Sequence, residues 1–276
     1  MSLQRGTGYI PDPVGHRYNA FRAVHPARRL GAAPLPDSGG PGQFSPPIWD
    51  QDGTGSCVGH AFAGALTALC ASEAAPLPAP VSPRDCYFLA RAIDRAANPG
   101  PLPPLTDGGA QPNSAARALQ LYGLSLEGDR ASDRKATDPD YTTWLAAHVN
   151  DELVLGEFEA SDNRRVLADW TSIADDDSDK VQLLAQALAA GYPAVFAVDA
   201  SVPEFQVYDG TGVLSYAGGD FDHMQYVDLY RTNAQGKIEF RERNSWGLQW
   251  GIQGYAWVDQ TSIGQHTSCM LIPHLL

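Results

Sequence analysis

The sequence predicts an α+β fold in which a mostly helical first half precedes a mostly antiparallel β second half. Three observations carry that prediction. Small and apolar residues recur at helical spacing from Ser56 to about Glu73 and in two later capped segments. Beyond the acidic "ADDDSDK" and one further helix come short alternating or β-branched runs separated by Gly, Asp and Asn. No internal repeat is present, so a solenoid is excluded.

Residues 1–47 are rich in Pro, Gly and Arg and show no lasting periodicity, which reads as an extended arm wrapped on the body, with room for a short strand. The first helix, starting at Ser56, is ended by the proline-rich "APLPAPVSP". A second, "SPRDCYFLARAIDRAA", takes Ser82 as N-cap and Pro83 as its first residue. A third, "NSAARALQLYG", takes Asn113 as cap and Gly123 as stop, after a proline-stiffened loop that ends in the pair Gly108 and Gly109. "DKVQLLAQALAAGY" is a helix stopped by Gly191, and "PAVFAVDA", "GTGVLSY", "MQYVDLYRT", "KIEFRERNSW" and "GYAWVDQ" are strands. The division that follows is an arm at 1–47, a helical domain at 48–150 and a β-rich domain at 151–276.

Composition narrows the function classes. The 276 residues are 43% hydrophobic and 18% charged, an ordinary globular balance rather than a disordered or fibrous one. A formal charge of -13 repels phosphate backbones and anionic lipid, which argues against nucleic acid and membrane partners. The most apolar run, "LLAQALAAGYPAVFAV", is broken by Gln186, Gly191 and Pro193 and is too short for a membrane span. The first residues lack the basic start, apolar stretch and cleavage site of a signal peptide, so a cytoplasmic location or a signal-independent export route is expected.

Four cysteines are too few for a disulfide scaffold. Cys70, Cys86 and Cys269 sit in apolar runs and read as small core residues. Cys57 differs, because "DGTGSCVGHAF" sets it between a Gly-Ser turn and the start of a helix, where the positive helix end favours thiolate. A thiol nucleophile needs a base, a group to orient that base and donors for an oxyanion. His223 in "DHMQYV", Asn244 in "RNSWG" and Gln51 in "WDQDGTGSC" offer one candidate for each.

Three blocks, "PPIWDQDGTGSCVGHAFAGAL", "DHMQYV" and "NSWGLQWGIQGY", together resemble the papain-like cysteine peptidases, of the bacterial sort without a large prodomain. The resemblance spans about residues 44 to 272 and implies a papain-like fold, with a helical domain and a β-barrel-like domain on either side of a cleft. It also implies roles. Cys57 attacks a peptide carbonyl through a thioester, His223 carries the proton, Asn244 orients the imidazole under the shield of Trp246, and Gln51 with the Cys57 backbone N–H forms the oxyanion hole. Gly108 and Gly109 would pair with extended substrate through their backbone. Ala197, Met224 and Ser268 would line an apolar specificity pocket. No cofactor or metal is implied, and the partner is a peptide or protein substrate. The closely spaced His60 finds no further ligand for a metal.

Departures from the family pattern also matter. The family's disulfide between the positions of Thr54 and Thr106 is missing at both ends, which suits a reducing compartment. Val58 replaces an aromatic residue, and the segment before Cys57 is too short for a large inhibitory prodomain beside the arm. Two rivals keep the fold: an inactive binding or assembly module, and a transferase or toxin-type amide hydrolase on the same site. Retention of Cys57, His223, Asn244 and Gln51 together favours an enzyme, since a scaffold has no physical need for all four.

Overall fold

The alanine- and glycine-rich run beginning at Cys57 forms the central helix, α1 (Cys57–Ser72), and nearly every residue of it is buried. Its small side chains are the reason. A Cβ on Gly64 would come within 2.3 Å of the Tyr226 ring, so the helix lies against the sheet at a separation only glycine permits. The computed structural model describes residues 5–13, 19–20, 34–96, 105–129, 134–135, 138–153, 158 and 168–275. Its other helices are α2 (Pro83–Ala96), α3 (Pro112–Tyr122), α4 (Tyr141–His148), α5 (Lys180–Ala189), α6 (Pro203–Gln206) and α7 (Gln260–Gln265).

The strands are β1 (Asn19–Ala20), β2 (Ser38–Gly39), β3 (Ala168–Ile173), β4 (Ala194–Val198), β5 (His223–Thr232), β6 (Ile238–Arg243), β7 (Tyr255–Asp259) and β8 (Thr267–Leu275). They form one open sheet in the order β1-β3-β8-β4-β5-β6-β7, with β2 added on β5. Every pairing is antiparallel except β1 on β3. One apolar core joins α1, α2 and α3 to the sheet through Trp170, Met224 and Tyr226, and a second fills the β half around Phe196, Phe205, Tyr230 and Phe240. This is the mixed helix and antiparallel-sheet architecture the sequence predicts.

Several elements depart from the sequence reading. Helix α3 starts two residues early, with Gln111 rather than Asn113 as N-cap, because Pro112 suits the first helical position and the Asp12 carboxylate in the arm takes the Asn113 backbone N–H at 2.8 Å. "GTGVLSY" forms only a single bridge, Leu214 to Val258, rather than a strand. The strand β3 and the helix α4 lie in the stretch where no periodicity stood out. Cys70 and Cys86 are buried, but Cys269 is only half-buried, at the edge of the core, with φ +50° and its thiol 3.8 Å from Asp12 Oδ2. Among the described residues no helix is long and apolar enough to cross a membrane.

Candidate active site

Strand periodicity builds the sheet wall of the cleft. His223 is the first residue of β5 and Asn244 follows the last residue of β6, two paired strands. His223 Nε2 donates to Asn244 Oδ1 at 2.9 Å, which assigns the tautomer: Nδ1 is left as an acceptor, buried and without a hydrogen-bond partner. Asn244 Oδ1 also accepts from the Ser245 backbone N–H at 2.7 Å. The Trp246 ring lies 4.8 Å from the imidazole and Phe205 stands edge-on at 6.3 Å, closing the pair off from water. Burial pushes the His223 pKa down to about 4, against the opposing pull of the Asn244 bond.

On the helix wall, Cys57 is the first residue of α1 and is fully buried. Here the expectation of a thiolate needs correction. Burial pushes the thiol up to about 12, outweighing hydrogen bonds from the backbone N–H groups of Met224, Gly8 and Val58. In this conformation the thiol and the imidazole are therefore both neutral. His60, one turn along α1, points elsewhere: its Nδ1 faces the Ser56 carbonyl at 2.9 Å and its Nε2 faces Tyr141 Oη at 3.5 Å. Among the described residues no three His, Cys, Asp or Glu side chains converge as a metal site.

The arm is one of the elements packed around Cys57, with Gly8 beside the thiol. Gly8 N and Tyr9 N both donate to the Asp222 carbonyl at 3.0 Å on the sheet wall. On the helix wall, Ala110 N donates to Gly8 O at 2.9 Å and Ile10 N to Ala110 O at 3.0 Å, so Tyr9 pairs in parallel with Ala110. The Gly6 carbonyl accepts from Gln51 Nε2 and from Trp246 Nε1, each at 3.1 Å, and the Arg5 guanidinium stacks 5.1 Å over the Trp246 ring. A Cβ on Gly8 would meet the Gly55 carbonyl oxygen at 1.9 Å, so only glycine fits there. The arm thus runs beside Cys57 and bridges the two walls, from Asp222 on the sheet side to Ala110 on the helix side.

The remaining candidates fall around the arm. Gln51 is buried, its Oε1 accepting from Ser245 Oγ and its Nε2 shared between Gly6 O and Thr54 O, the latter at 2.6 Å. Gly109, with φ +98°, lies directly under Gly8, whereas Gly108 is exposed; the residue that pairs with the arm's extended backbone is the next one, Ala110. Ala197 and Met224 face each other across β4 and β5, both fully buried, and Ser268 pairs with Ala197 from β8. The Ser268 hydroxyl donates to Asp175 Oδ2 at 2.6 Å.

Two residues that sequence reading passed over hold the nucleophile loop. Asp107 Oδ1 accepts from Gly55 N at 2.9 Å and from Tyr87 Oη at 2.8 Å, and Tyr87 Oη accepts from Gly109 N at 2.9 Å. Arg91 lies over the Tyr87 ring at 3.9 Å and donates to Thr106 O at 2.8 Å. This clasp joins the two loops at Thr54 and Thr106 that a disulfide would have joined. The only hint in the sequence was the acidic residue beside the glycine pair.

A buried thiol at a helix start and an Asn-held imidazole at a strand start are the groups a cysteine hydrolase of the papain type would use. The chain belongs to the papain family cysteine proteases: the family profile matches residues 107–272, more than half of its length, a stretch that carries His223 and Asn244 and begins after Cys57. Among curated relatives, cysteine protease 1 of Oryza sativa subsp. japonica is 31% identical over 96 residues, 34% of this chain and 20% of that protein. Cathepsin L of Sarcophaga peregrina is 35% identical over 89 residues, 31% of this chain and 25% of that one. The chain therefore spans about a quarter of these relatives' length. Among solved structures, xylellain, a cysteine protease from Xylella fastidiosa, superposes with a TM-score of 0.68 at 21% identity, covering 100% of this chain and 98% of its own. The digestive procathepsin L 3 of Tenebrio molitor superposes at 0.67 with 19% identity, covering 99% and 77%.

Proposed function

We propose that this chain hydrolyses peptide bonds by covalent catalysis at Cys57, with His223 as base and acid and Asn244 as its orienting partner. The observation that carries the reading is the unpartnered His223 Nδ1 in the same cleft as the Cys57 thiol, while Nε2 is held by Asn244. Sulfur attacks the peptide carbonyl carbon as its proton passes to Nδ1; the amine leaves with that proton, and a thioester remains. Water then attacks the thioester, giving a proton to Nδ1, which returns it to the sulfur as the acid departs. Gln51 Nε2 and the Cys57 backbone N–H stabilise the oxyanion, and Gly109 with Ala110 offers a backbone edge to extended substrate. Ala197 and Met224 give the main pocket apolar walls. The four cysteines are free, which supports work in a reducing compartment.

With the arm in the cleft, its Gly6 carbonyl occupies the Gln51 donor and its backbone excludes water from Cys57. Substrate then requires the arm to leave, and rehydration of the cleft removes the burial that holds the thiol neutral. The test is peptide hydrolysis by Gly8→Ala, whose added methyl cannot fit under Gly55. The reading expects hydrolysis that disappears in Gly8→Ala/Cys57→Ala; hydrolysis that survives loss of Cys57 overturns it.

A further inference from the structure

Arg5 of the arm lies in a seat whose groups all belong to the rest of the chain. Its guanidinium stands 5.1 Å over the Trp246 ring, and its Nη1 donates to the Trp246 carbonyl at 3.4 Å. Beside them is Asp50, which pairs with Trp246 as an antiparallel bridge flanked by bonds from Gln51 N to Ser245 O at 2.8 Å and from Gly247 N to Trp49 O at 3.1 Å. Asp50 Oδ1 accepts from the Asp52 backbone N–H at 2.9 Å, and Oδ2 lies against Gly247, where an added Cβ would come within 2.5 Å of it. Among the described residues nothing donates to Oδ2. Burial raises the half-buried Asp50 carboxyl from its ordinary 3.8, the Asp52 charge adds to the rise, and Arg5 is the cation that draws it back.

An indole face, a carbonyl and a carboxylate all attract a cation, and a planar guanidinium that can stack and donate at once fits them better than an ammonium. The formal charge of -13 works in the same direction. The place of the seat follows from the order of contacts along the arm: Arg5 and Gly6 touch Trp246, Gly8 is beside the thiol, and Tyr9 pairs with Ala110. The seat and the Ala110 edge therefore lie to either side of Cys57. Trp246 also packs on His223 at 4.8 Å, the imidazole that gives its proton to the leaving amine, so the departing segment passes along Trp246. Gly8 and Arg5 are three residues apart, at most about 11 Å of extended chain. We infer that Asp50 and Trp246 form a subsite for a basic side chain, arginine above lysine, within the first three residues after the cut, and that Arg5 fills it while the arm is in place. The inference rests on the peptidase reading for its substrate and on the arm's own contacts for the seat.

The experiment uses the full chain carrying Arg5→Ala and Gly8→Ala, which empties the seat. An N-acetylated synthetic peptide of residues 5–13, with either arginine or its uncharged isostere citrulline at the first position, is titrated as a protectant of Cys57 against iodoacetamide. The arginine peptide should bind about 10-fold tighter, and Asp50→Asn in the same chain should cut that ratio to about threefold, the share left to the indole face. The ratio is the readout, because a variant that only loosens the loop weakens both peptides alike. For substrate, a random peptide library cleaved by the same chain and read by mass spectrometry should show arginine enriched about fivefold or more at one of the first three positions after the cut, an enrichment that Asp50→Asn reduces. Equal Kd values for the two peptides, or a ratio that Asp50→Asn leaves unchanged, overturn the seat. Cleavage with no basic residue enriched after the cut overturns its role toward substrate. No cleavage at all overturns the peptidase reading, and the protection assay still decides the seat.

Discussion

On the sheet wall of the cleft, His223 and Asn244 are placed by backbone register, because both sit at the ends of neighbouring strands whose ladder hydrogen bonds set their spacing. On the helix wall, Gln51 and Gly55 lie in a loop, and side chains do what the ladder does opposite. Asp107 and Tyr87 clasp the loop at Gly55 and Gly109, and Ser245 reaches across to Gln51. A wall built on register tolerates surface change but not a change of strand face. A wall built on a clasp depends on single buried polar atoms, each costly to leave unpaired.

This difference can be broken at graded points. Cys57→Ala, which removes the only thiol in the cleft, should lower peptide hydrolysis by at least about 10³-fold, measured by product formation under reducing conditions. Gly8→Ala acts on neither wall but on what lies between them. Overpacking of about 1–3 kcal/mol should raise the rate of Cys57 alkylation by about 5- to 150-fold, read by peptide mass mapping. Asp107→Ala opens the clasp and strands Tyr87 Oη and Gly55 N. It should lower stability by about 1–3 kcal/mol in urea denaturation, an effect the strand-borne His223 would not share.

The smallest effect is a pH dependence at the back of the sheet wall. Burial raises the Glu242 pKa from 4.5 to about 8, so between these values the folded chain holds a proton that the unfolded chain releases. Stability should therefore fall as pH rises through that window, and Glu242→Gln should flatten the fall in a series of melting curves. His60 and His223 carry the opposite sign. Their pKa values are held down to about 4 from 6.5, so wild-type stability should be lost as pH drops below 6.5.

The sheet wall was the more legible one in the sequence. "DHMQYV" and "NSWGLQWGIQGY" carry local periodicity and turn glycines, so a strand start and a strand end could be read for His223 and Asn244. The clasp was illegible: Tyr87 lies mid-helix and Asp107 in a proline-rich loop, and nothing local brings them to Gly55. The thiol's state was misjudged because helix-end position favours thiolate only while water reaches the site. Nothing local singled out the arm's Gly6 and Gly8, whose lack of a side chain lets the chain pass over Thr54 and Gly55.

The central claim is that the two walls meet in a thiol peptidase site covered by its own arm. The most direct test is the rate of iodoacetamide labelling at each cysteine, together with peptide hydrolysis, in wild type, Gly8→Ala and Gly8→Ala/Cys57→Ala. The prediction is that Gly8→Ala labels at Cys57 far faster than wild type, leaves Cys70 and Cys86 unchanged, and cleaves peptides only while Cys57 is present. Labelling of Cys57 that stays as slow as that of Cys70, or cleavage that continues without Cys57, would contradict it.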